Sequence, residues 1–197
     1  MDNANIAIFA SGSGSNAENI TRYLSTALNS ENGTNIRVSL ILSNRDNAYV
    51  LERAAKLNIA SAVFTKRELE EGSAVDNILK ERHIDFIVLA GFLLKFPERL
   101  IKRYSPKIVN IHPALLPKYG GKGMYGNNVH KAVIAAQEQE SGITIHLVDE
   151  LYDNGTTLLQ VKCAVSPTDT PETLAAKIHK LEAKHFPPTI YEYIRSL

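Results

Sequence analysis

The chain has 197 residues, of which 44% are hydrophobic and 22% are charged, and its formal net charge is +1. This length and apolar content suffice for one domain with a buried core. The small net charge gives no reason to expect nucleic acid or a membrane surface as a partner. A single cysteine, Cys163, excludes an internal disulfide, and no apolar run approaches the roughly 20 residues of a membrane span, so we expect a cytoplasmic protein.

The first half of the chain alternates predicted strands and helices. Strands are predicted at residues 6–10, 36–42, 62–64 and 86–89. Helices are predicted after residue 16 and at residues 49–57, 69–82 and 100–104. Strands that are apolar on both faces and alternate with helices are typical of a mostly parallel sheet covered on both sides.

The second half departs from this alternation. After a strand at residues 108–112 come a glycine-rich loop at 119–128, a helix from 129 to about 136, and strands at 143–148 and 157–164. The last helix is predicted to begin near Thr173, with Pro171 and Glu172 in its first turn. We expect the Pro187–Pro188 pair to bend this helix.

The loop between the first strand and the first helix reads Ser-Gly-Ser-Gly-Ser-Asn at residues 11–16. Glycines let backbone N–H groups approach an anion, and the helix N-terminus adds partial positive charge. Ala17 stands where a dinucleotide-binding fingerprint has glycine, and no Gly-Lys-Ser/Thr follows. The pattern therefore favours a single phosphate monoester, and an ordinary strand-to-helix turn with a Ser or Asn cap is the alternative.

Two polar side chains end the fifth predicted strand. Asn110 and His112 share one face of that strand because side chains alternate along it. An amide and an imidazole aimed at one point are what a developing oxyanion needs. His130 and His146 raise a metal site as an alternative, but no His or Cys pair has zinc-ligand spacing, so we expect no metal. His146 either lines the same cleft or belongs to the core.

An acidic turn at residues 149–155 lies between the last two predicted strands. Such turns are usually solvated, but a carboxylate here can fold back on His112 and hold or relay its proton. The residues alone leave the choice among Asp149, Glu150 and Asp153 open.

Over nearly its whole length the chain resembles the phosphoribosylglycinamide formyltransferases, folate-dependent enzymes of purine biosynthesis. The matching motifs lie at residues 11–16, 43–44, 89–92, 110–119, 142–146 and 153–155. Asn-Ile-His-Pro-x-Leu-Leu-Pro is typical of folate formyltransferases, and the Ser-Gly-x-Gly-Ser-Asn loop indicates the glycinamide ribonucleotide group. The resemblance implies one α/β, Rossmann-like formyltransferase domain over residues 1–197, with a mostly parallel central sheet flanked by helices and antiparallel strands toward the C-terminal end. It also implies a ribonucleotide-binding half of about residues 1–105 and a folate and catalytic half of about 106–197.

The resemblance implies roles for individual residues. Asn110, His112 and Asp153 match the catalytic set, which transfers the formyl group of 10-formyltetrahydrofolate to the amine of glycinamide ribonucleotide. The implied ribonucleotide-binding residues are Gly14, Ser15, Asn16, Arg67 and Glu182. The implied folate-binding residues are Phe92, Leu93, Leu94, Phe96, Asn110, Val148 and Asp153. The expected partners are these small molecules, without metal, nucleic acid or membrane, and the expected state is a monomer or homodimer.

The chain departs from the family pattern at three places. Leu94 stands where many members carry Arg, Asn154-Gly155-Thr156 replaces a common Gly-Gly-Pro, and the loop at residues 120–128 is longer than in many members. The family also often has a cis bond at the position of Leu116–Pro117. The alternatives are another folate-dependent formyltransferase, a 10-formyltetrahydrofolate hydrolase, and a non-catalytic phosphate-binding module. The absence of a basic stripe disfavours an RNA-directed relative, and the presence of Asn110, His112 and Asp153 together disfavours a binding module.

Overall fold

The computed structural model describes residues 3–28, 35–150 and 153–197. Its elements follow in the order β1 Asn3–Phe9, α1 Ser15–Leu28, β2 Asn35–Ser43, α2 Tyr49–Lys56, β3 Ser61–Val63, α3 Lys66–Glu71, α4 Ser73–Glu81, β4 Phe86–Leu89, α5 Glu98–Tyr104, β5 Ile108–His112, α6 Asn127–Ala135, β6 Glu140–Leu147, β7 Thr157–Ala164 and α7 Pro171–Arg195.

The strands form a seven-stranded sheet in the order β3-β2-β1-β4-β5-β6-β7. The neighbours from β3 to β5 pair in parallel, whereas β6 and β7 are antiparallel to their neighbours. This confirms the predicted α/β sheet with antiparallel strands toward its C-terminal end. Because the carboxyl ends of parallel strands share one edge, the loops after β1, β4 and β5 lie side by side there.

Apolar residues cover both faces of the sheet, as near-continuous hydrophobic strands require. Along β1, Ile6 and Ile8 join the buried cluster under α1, α6 and α7, whereas Ala7 and Phe9 join the cluster under α3, α4 and α5. The alternation follows from the two-residue repeat of a strand. The sheet is thereby fixed on both sides, and its carboxyl edge is a rigid base for loops.

The single helix predicted at residues 69–82 is wrong, because two helices occupy this region. Gly72 has φ of +96°, which ends α3 in a left-handed cap and lets α4 start at once. Arg99 holds this break with hydrogen bonds to the carbonyls of Leu69 at 2.5 Å and Glu70 at 3.1 Å. The helix α3 itself begins earlier than predicted, at a capping box formed by Thr65 and Glu68.

The last helix begins as predicted, with Thr170 as its cap and Pro171 in its first turn. It continues through Pro187 and Pro188 as one helix to Arg195. The Leu116–Pro117 peptide bond is cis, which agrees with the resemblance. No helix in the described ranges is long and apolar enough to cross a membrane.

Candidate active site

A cavity of about 470 Å³ opens at the carboxyl edge of the parallel strands. Loops after β1, β4 and β5, the glycine-rich segment before α6, the start of the β6–β7 connection and one face of α7 all contribute to its wall. Its lining includes residues 12–16, 89–96, 110–113, 121–126, 148–150, 153, 179 and 182. Motifs that are far apart in the sequence therefore meet in one space, which is where ligands bind in open α/β sheets.

The loop at residues 12–16 presents backbone amides to this cavity. Gly14 adopts φ of +74°, and the helix α1 starts directly after it at Ser15. No group in the described part of the chain accepts a hydrogen bond from the amides of Gly14, Ser15 or Asn16. Unpaired amides at the N-terminus of a helix form an anion site, so the geometry agrees with the predicted phosphate loop.

The Asn110 side chain is oriented by a histidine whose role the sequence left open. The His146 Nδ1 atom lies 2.9 Å from the Leu147 carbonyl, so this nitrogen carries the proton. Burial lowers the pKa of His146, which favours the neutral ring with an unprotonated Nε2. Asn110 Nδ2 lies 3.1 Å from that Nε2 and donates to it. The amide is therefore fixed with its second N–H and its carbonyl oxygen unbound to His146.

His112 is buried at the strand end and is held from two sides. Its Nε2 donates to the Tyr119 carbonyl at 2.7 Å, because a carbonyl can only accept. Its Nδ1 lies 3.6 Å from Asp153 Oδ2. Of the three acidic candidates, Asp153 thus lies beside His112, and its other carboxylate oxygen lies 3.7 Å from His146 Nε2.

The Asp153 carboxylate also organises the glycine-rich loop, because its Oδ2 accepts a hydrogen bond from the Gly121 amide at 2.8 Å. Asp153 has φ of +51°, an uncommon conformation for a residue other than glycine. Such a residue persists only where its surroundings hold it. Asp153 therefore joins the loop beside α6 to the two histidines.

The opposite end of the cavity contains a buried carboxyl group on α7. Asn16 Nδ2 donates to Glu182 Oε2 at 3.0 Å, which joins the phosphate loop to the last helix. Burial raises the pKa of Glu182, and the hydrogen bond from Asn16 opposes part of that rise. His179 lies one helical turn before Glu182 and also lines the cavity, as does the buried His130. This end is therefore polar and titratable.

An apolar wall covers the cavity on the other face of the sheet. Phe92 and Phe96 pack edge-on against Phe9, with ring centroids 5.5 and 5.1 Å apart. Leu94 and Val148 pack against the same apolar cluster. The Leu93 amide donates to Ser11 Oγ at 3.0 Å, and Ser11 Oγ donates to Asn44 Oδ1 at 2.6 Å, so the wall is joined to the phosphate loop.

The structure brings all but one of the predicted site residues to the cavity. Arg67 is the exception: it lies on α3, its side chain is 83% exposed, and its guanidinium pairs with Glu71 at 2.7 Å. Residues 151 and 152 of the predicted acidic turn lie outside the described residues. Across the described ranges, no group of three or more His, Cys, Asp or Glu side chains is arranged so that it could hold a metal ion.

Sequence reasoning missed two contributors to the site. The Tyr119 carbonyl, which holds His112, is a backbone group and leaves no signal in the residue type. Ser11 was treated only as part of the glycine-rich loop, although its hydroxyl joins that loop to the Asn44 side chain and the Leu93 amide. The polar Ser-Asn pair that ends β2 was the available signal for the Asn44 contact.

Known proteins resemble the chain in sequence and structure. The formyl transferase family model matches residues 4–190. The chloroplastic phosphoribosylglycinamide formyltransferase of Arabidopsis thaliana is 40% identical over 185 residues, which are 89% of this chain and 62% of that protein. The phosphoribosylglycinamide formyltransferase of Bacillus subtilis is 35% identical over 192 residues, which are 95% of this chain and 93% of that protein.

Solved structures that resemble the chain belong to the same group of enzymes as these relatives. The crystal structure of phosphoribosylglycinamide formyltransferase from Bacillus halodurans matches with a TM-score of 0.85 at 34% identity, over 96% of this chain and 95% of that one. The lengths of the relatives differ. The chain spans 62% of the Arabidopsis protein and 55% of the related chloroplastic protein of Vigna unguiculata.

Proposed function

The chain belongs to the formyl transferase family, in its phosphoribosylglycinamide formyltransferase group, and we propose that it formylates the amine of glycinamide ribonucleotide. The donor is 10-formyltetrahydrofolate, and the products are N-formylglycinamide ribonucleotide and tetrahydrofolate, in purine biosynthesis. One observation carries the proposal: Asn110 and His112 lie at the carboxyl end of β5, between two different surfaces of the cavity. The loop at residues 12–16 lies on one side of them, and the apolar wall formed by residues 92–96 and Val148 lies on the other. A phosphorylated acceptor and an aromatic donor fit these two sides.

In the proposed reaction, the acceptor amine forms a bond to the formyl carbon, and the carbonyl electron pair moves to oxygen. The second N–H of Asn110 and the ring of His112 stabilise this oxyanion. Because His112 Nε2 is bound to the Tyr119 carbonyl, Nδ1 is the ring nitrogen that remains for the substrate or for Asp153. The amide of Asn110 needs no reorganisation, since His146 already fixes it.

The tetrahedral intermediate collapses when the bond from the formyl carbon to the folate N10 breaks. The attacking nitrogen must lose a proton and N10 must gain one, so a group that exchanges protons is needed beside both. We assign this role to Asp153, acting with His112 and water, because its carboxylate lies 3.6 Å from His112 Nδ1. The Gly121 amide holds the same carboxylate in place.

The acceptor is proposed to lie between the loop after β1 and α7. Its phosphate meets the amides of Gly14, Ser15 and Asn16, and its amine meets Glu182. Burial raises the pKa of Glu182 and so makes its carboxylate a stronger base than an exposed one, which suits a group that takes a proton from the acceptor ammonium. Arg67 stays a predicted ribonucleotide contact, and reaching the acceptor would require its guanidinium to leave Glu71.

The folate is proposed to lie along the apolar wall. Phe92, Leu93, Leu94, Phe96 and Val148 supply its surface, and the backbone groups of this segment supply the polar contacts to the pterin ring. This assignment crosses the predicted boundary between a ribonucleotide half of about residues 1–105 and a folate and catalytic half of about 106–197. Residues 92–96 of the wall lie in the first half, and Glu182 of the acceptor site lies in the second. Leu94, which stands in place of a common Arg, leaves the wall apolar at that position.

The cellular setting is part of the same proposal. We place the protein in the cytoplasm as a monomer or homodimer that handles small molecules, with no nucleic acid, membrane or metal partner. The scattered charges and the net charge of +1 support this assignment.

The test is a formyl-transfer assay that follows tetrahydrofolate release from 10-formyltetrahydrofolate. Release that requires glycinamide ribonucleotide, with N-formylglycinamide ribonucleotide recovered in equal amount, is the expected result. Release of formate without the ribonucleotide would identify a hydrolase. No release with either mixture, from folded protein, would overturn the proposal.

A further inference from the structure

We infer that Arg53 is a positioning residue of the acceptor site: it turns one peptide unit of the phosphate loop so that the Gly14 amide faces the cavity. Arg53 lies on α2 and is not part of the cavity wall. The substrate named in this inference comes from the proposed function. The contact between Arg53 and the loop is observed in the structure and does not depend on that function. Arg53 acts through the loop and touches no reacting atom.

The direction of the Gly14 amide follows from the peptide bond before it. The Ser13 carbonyl and the Gly14 N–H belong to one trans peptide unit, in which they point in opposite directions. Arg53 Nε donates to the Ser13 carbonyl at 2.8 Å and so holds that carbonyl toward α2. The Gly14 N–H must therefore point the other way, toward the cavity that the loop lines.

The neighbouring carbonyls of the loop are held by different groups. The Gly12 carbonyl accepts from the Val50 amide at 3.1 Å, and the Gly14 carbonyl accepts from the Glu18 amide at 3.0 Å. Both of those donors are backbone groups, which no substitution other than proline removes. Within the described residues, the Ser13 carbonyl is the one of the three that a side chain holds. That contact is accordingly the point at which the loop can be loosened by a single side-chain change.

Arg53 is itself fixed before any ligand binds. Its NH1 group pairs with the Glu18 carboxylate, and its guanidinium stacks over the Tyr49 ring at 4.9 Å. Glu18 also accepts from Arg22 Nε at 2.9 Å. Hydrogen bonds from Arg22 and Arg53 hold the pKa of Glu18 below its ordinary value, so this carboxylate stays charged. A rigid guanidinium fork can serve Ser13 and Glu18 at once, which the single ammonium of lysine does less well.

Arg22 supplies a matched control. It carries the same charge and binds the same carboxylate as Arg53, but its side chain is 66% exposed and its guanidinium pairs with Glu18 without a hydrogen bond to the Ser13 carbonyl. Arg22→Gln removes one positive charge and one partner of Glu18. Arg53→Gln removes these, the Ser13 contact and the stacking over Tyr49. Because Tyr49 is not part of the cavity lining, a difference between the two variants in their preference for the phosphorylated acceptor reports the loop contact.

The experiment compares the kcat/KM of each variant for glycinamide ribonucleotide with its kcat/KM for the riboside that lacks the phosphate. This ratio does not depend on the fraction of folded enzyme. We expect Arg53→Gln to reduce the preference for the phosphorylated acceptor about tenfold, as for one lost charge-assisted hydrogen bond. The KM of Arg53→Gln for 10-formyltetrahydrofolate should stay within about twofold of the wild-type value. The ratio of the two kcat/KM values for Arg53→Lys should lie between those of Arg53→Gln and wild type, and the ratio for Arg22→Gln should equal that of wild type.

Two results would overturn the inference. One is an unchanged ratio in Arg53→Gln, and the other is an equal change in Arg22→Gln. A parallel titration with ribose 5-phosphate, followed through the amide NMR signals of Gly14 and Ser15, requires no formyl transfer. If wild type transfers no formyl group but Arg53→Gln weakens these shifts, the proposed function fails and the positioning role stands. If both proteins bind ribose 5-phosphate equally, the positioning role fails.

Discussion

Replacing Gly14 by alanine is expected to destabilise the protein strongly, because the loop at residues 11–16 packs against α2 without space for a side chain at this position. A Cβ atom at this position would lie 2.4 Å from Val50 Cγ2 and 2.6 Å from Val50 Cβ. Carbon atoms in contact are normally about 3.5–4.0 Å apart, so loop and helix must separate by about 1 Å. The φ of +74° adds its own penalty of roughly 1–2 kcal/mol for a residue with a Cβ.

The two effects add to a loss of about 2–5 kcal/mol in the free energy of unfolding, with about 1–3 kcal/mol coming from overpacking. Urea unfolding followed by circular dichroism measures it, and the midpoint should fall by about 1–2 M. Gly12→Ala is the control in the same loop, because nothing lies within 4 Å of a Cβ there. Its free energy of unfolding should change by no more than about 0.5 kcal/mol.

Equal unfolding midpoints for Gly14→Ala and Gly12→Ala would refute this reasoning. The clash itself can be tested by adding Val50→Ala, which removes the nearest methyl group. The double variant should be more stable than the sum of the two single changes predicts, by at least about 1 kcal/mol. Strict additivity would mean that the Cγ2 methyl group does not contribute to the clash, since the Cβ and Cα atoms of residue 50, 2.6 and 2.8 Å from the added Cβ, remain in the double variant.

Three further predictions concern the cavity. His112→Ala should stay folded and lower kcat for formyl transfer at least about 10²-fold, because one oxyanion and proton-transfer group is lost; near-wild-type turnover contradicts this role. His146→Ala should lower kcat about tenfold, since the Asn110 amide loses its acceptor, and His146→Gln should recover part of that loss through its side-chain carbonyl; a change confined to KM would argue against it. Burial raises the pKa of Glu182 because it disfavours the charged carboxylate. The protonated side chain therefore contributes fully to the free energy of unfolding below pH 4.5, the ordinary pKa, and this contribution is lost as pH rises through the raised pKa. Glu182→Gln should therefore raise Tm above that of wild type at pH 8 and by less at pH 4, and a gain of the same size at both would contradict the assigned pKa direction.

The strand β5 shows which parts of a site can be predicted from local pattern. Asn110 and His112 share a face because of the two-residue strand repeat, which needs no knowledge of the fold. The role of His146 could not be assigned in the same way. Its position directly opposite Asn110 depends on the antiparallel register between β5 and β6, and that register is set by contacts far apart in the chain.

The wrong helix boundary has a comparable cause. Leu69, Val75 and Leu79 are all buried and continue one apolar pattern across Gly72, so periodicity alone predicts a single helix. The break is held from outside by Arg99, whose guanidinium binds the carbonyls at the end of α3. A tertiary contact of this kind cannot be predicted from the local sequence, although a glycine inside a helical pattern lowers the expectation of one continuous helix.

The hydrogen bond between Asn16 and Glu182 has a consequence for how the protein is made. Its two partners are 166 positions apart, and they belong to the first and last helices. During synthesis the loop at residues 11–16 leaves the ribosome well before the carboxyl group of Glu182. The cavity is therefore completed only when α7 docks, and a chain that stops before α7 carries the loop without this wall of the cavity.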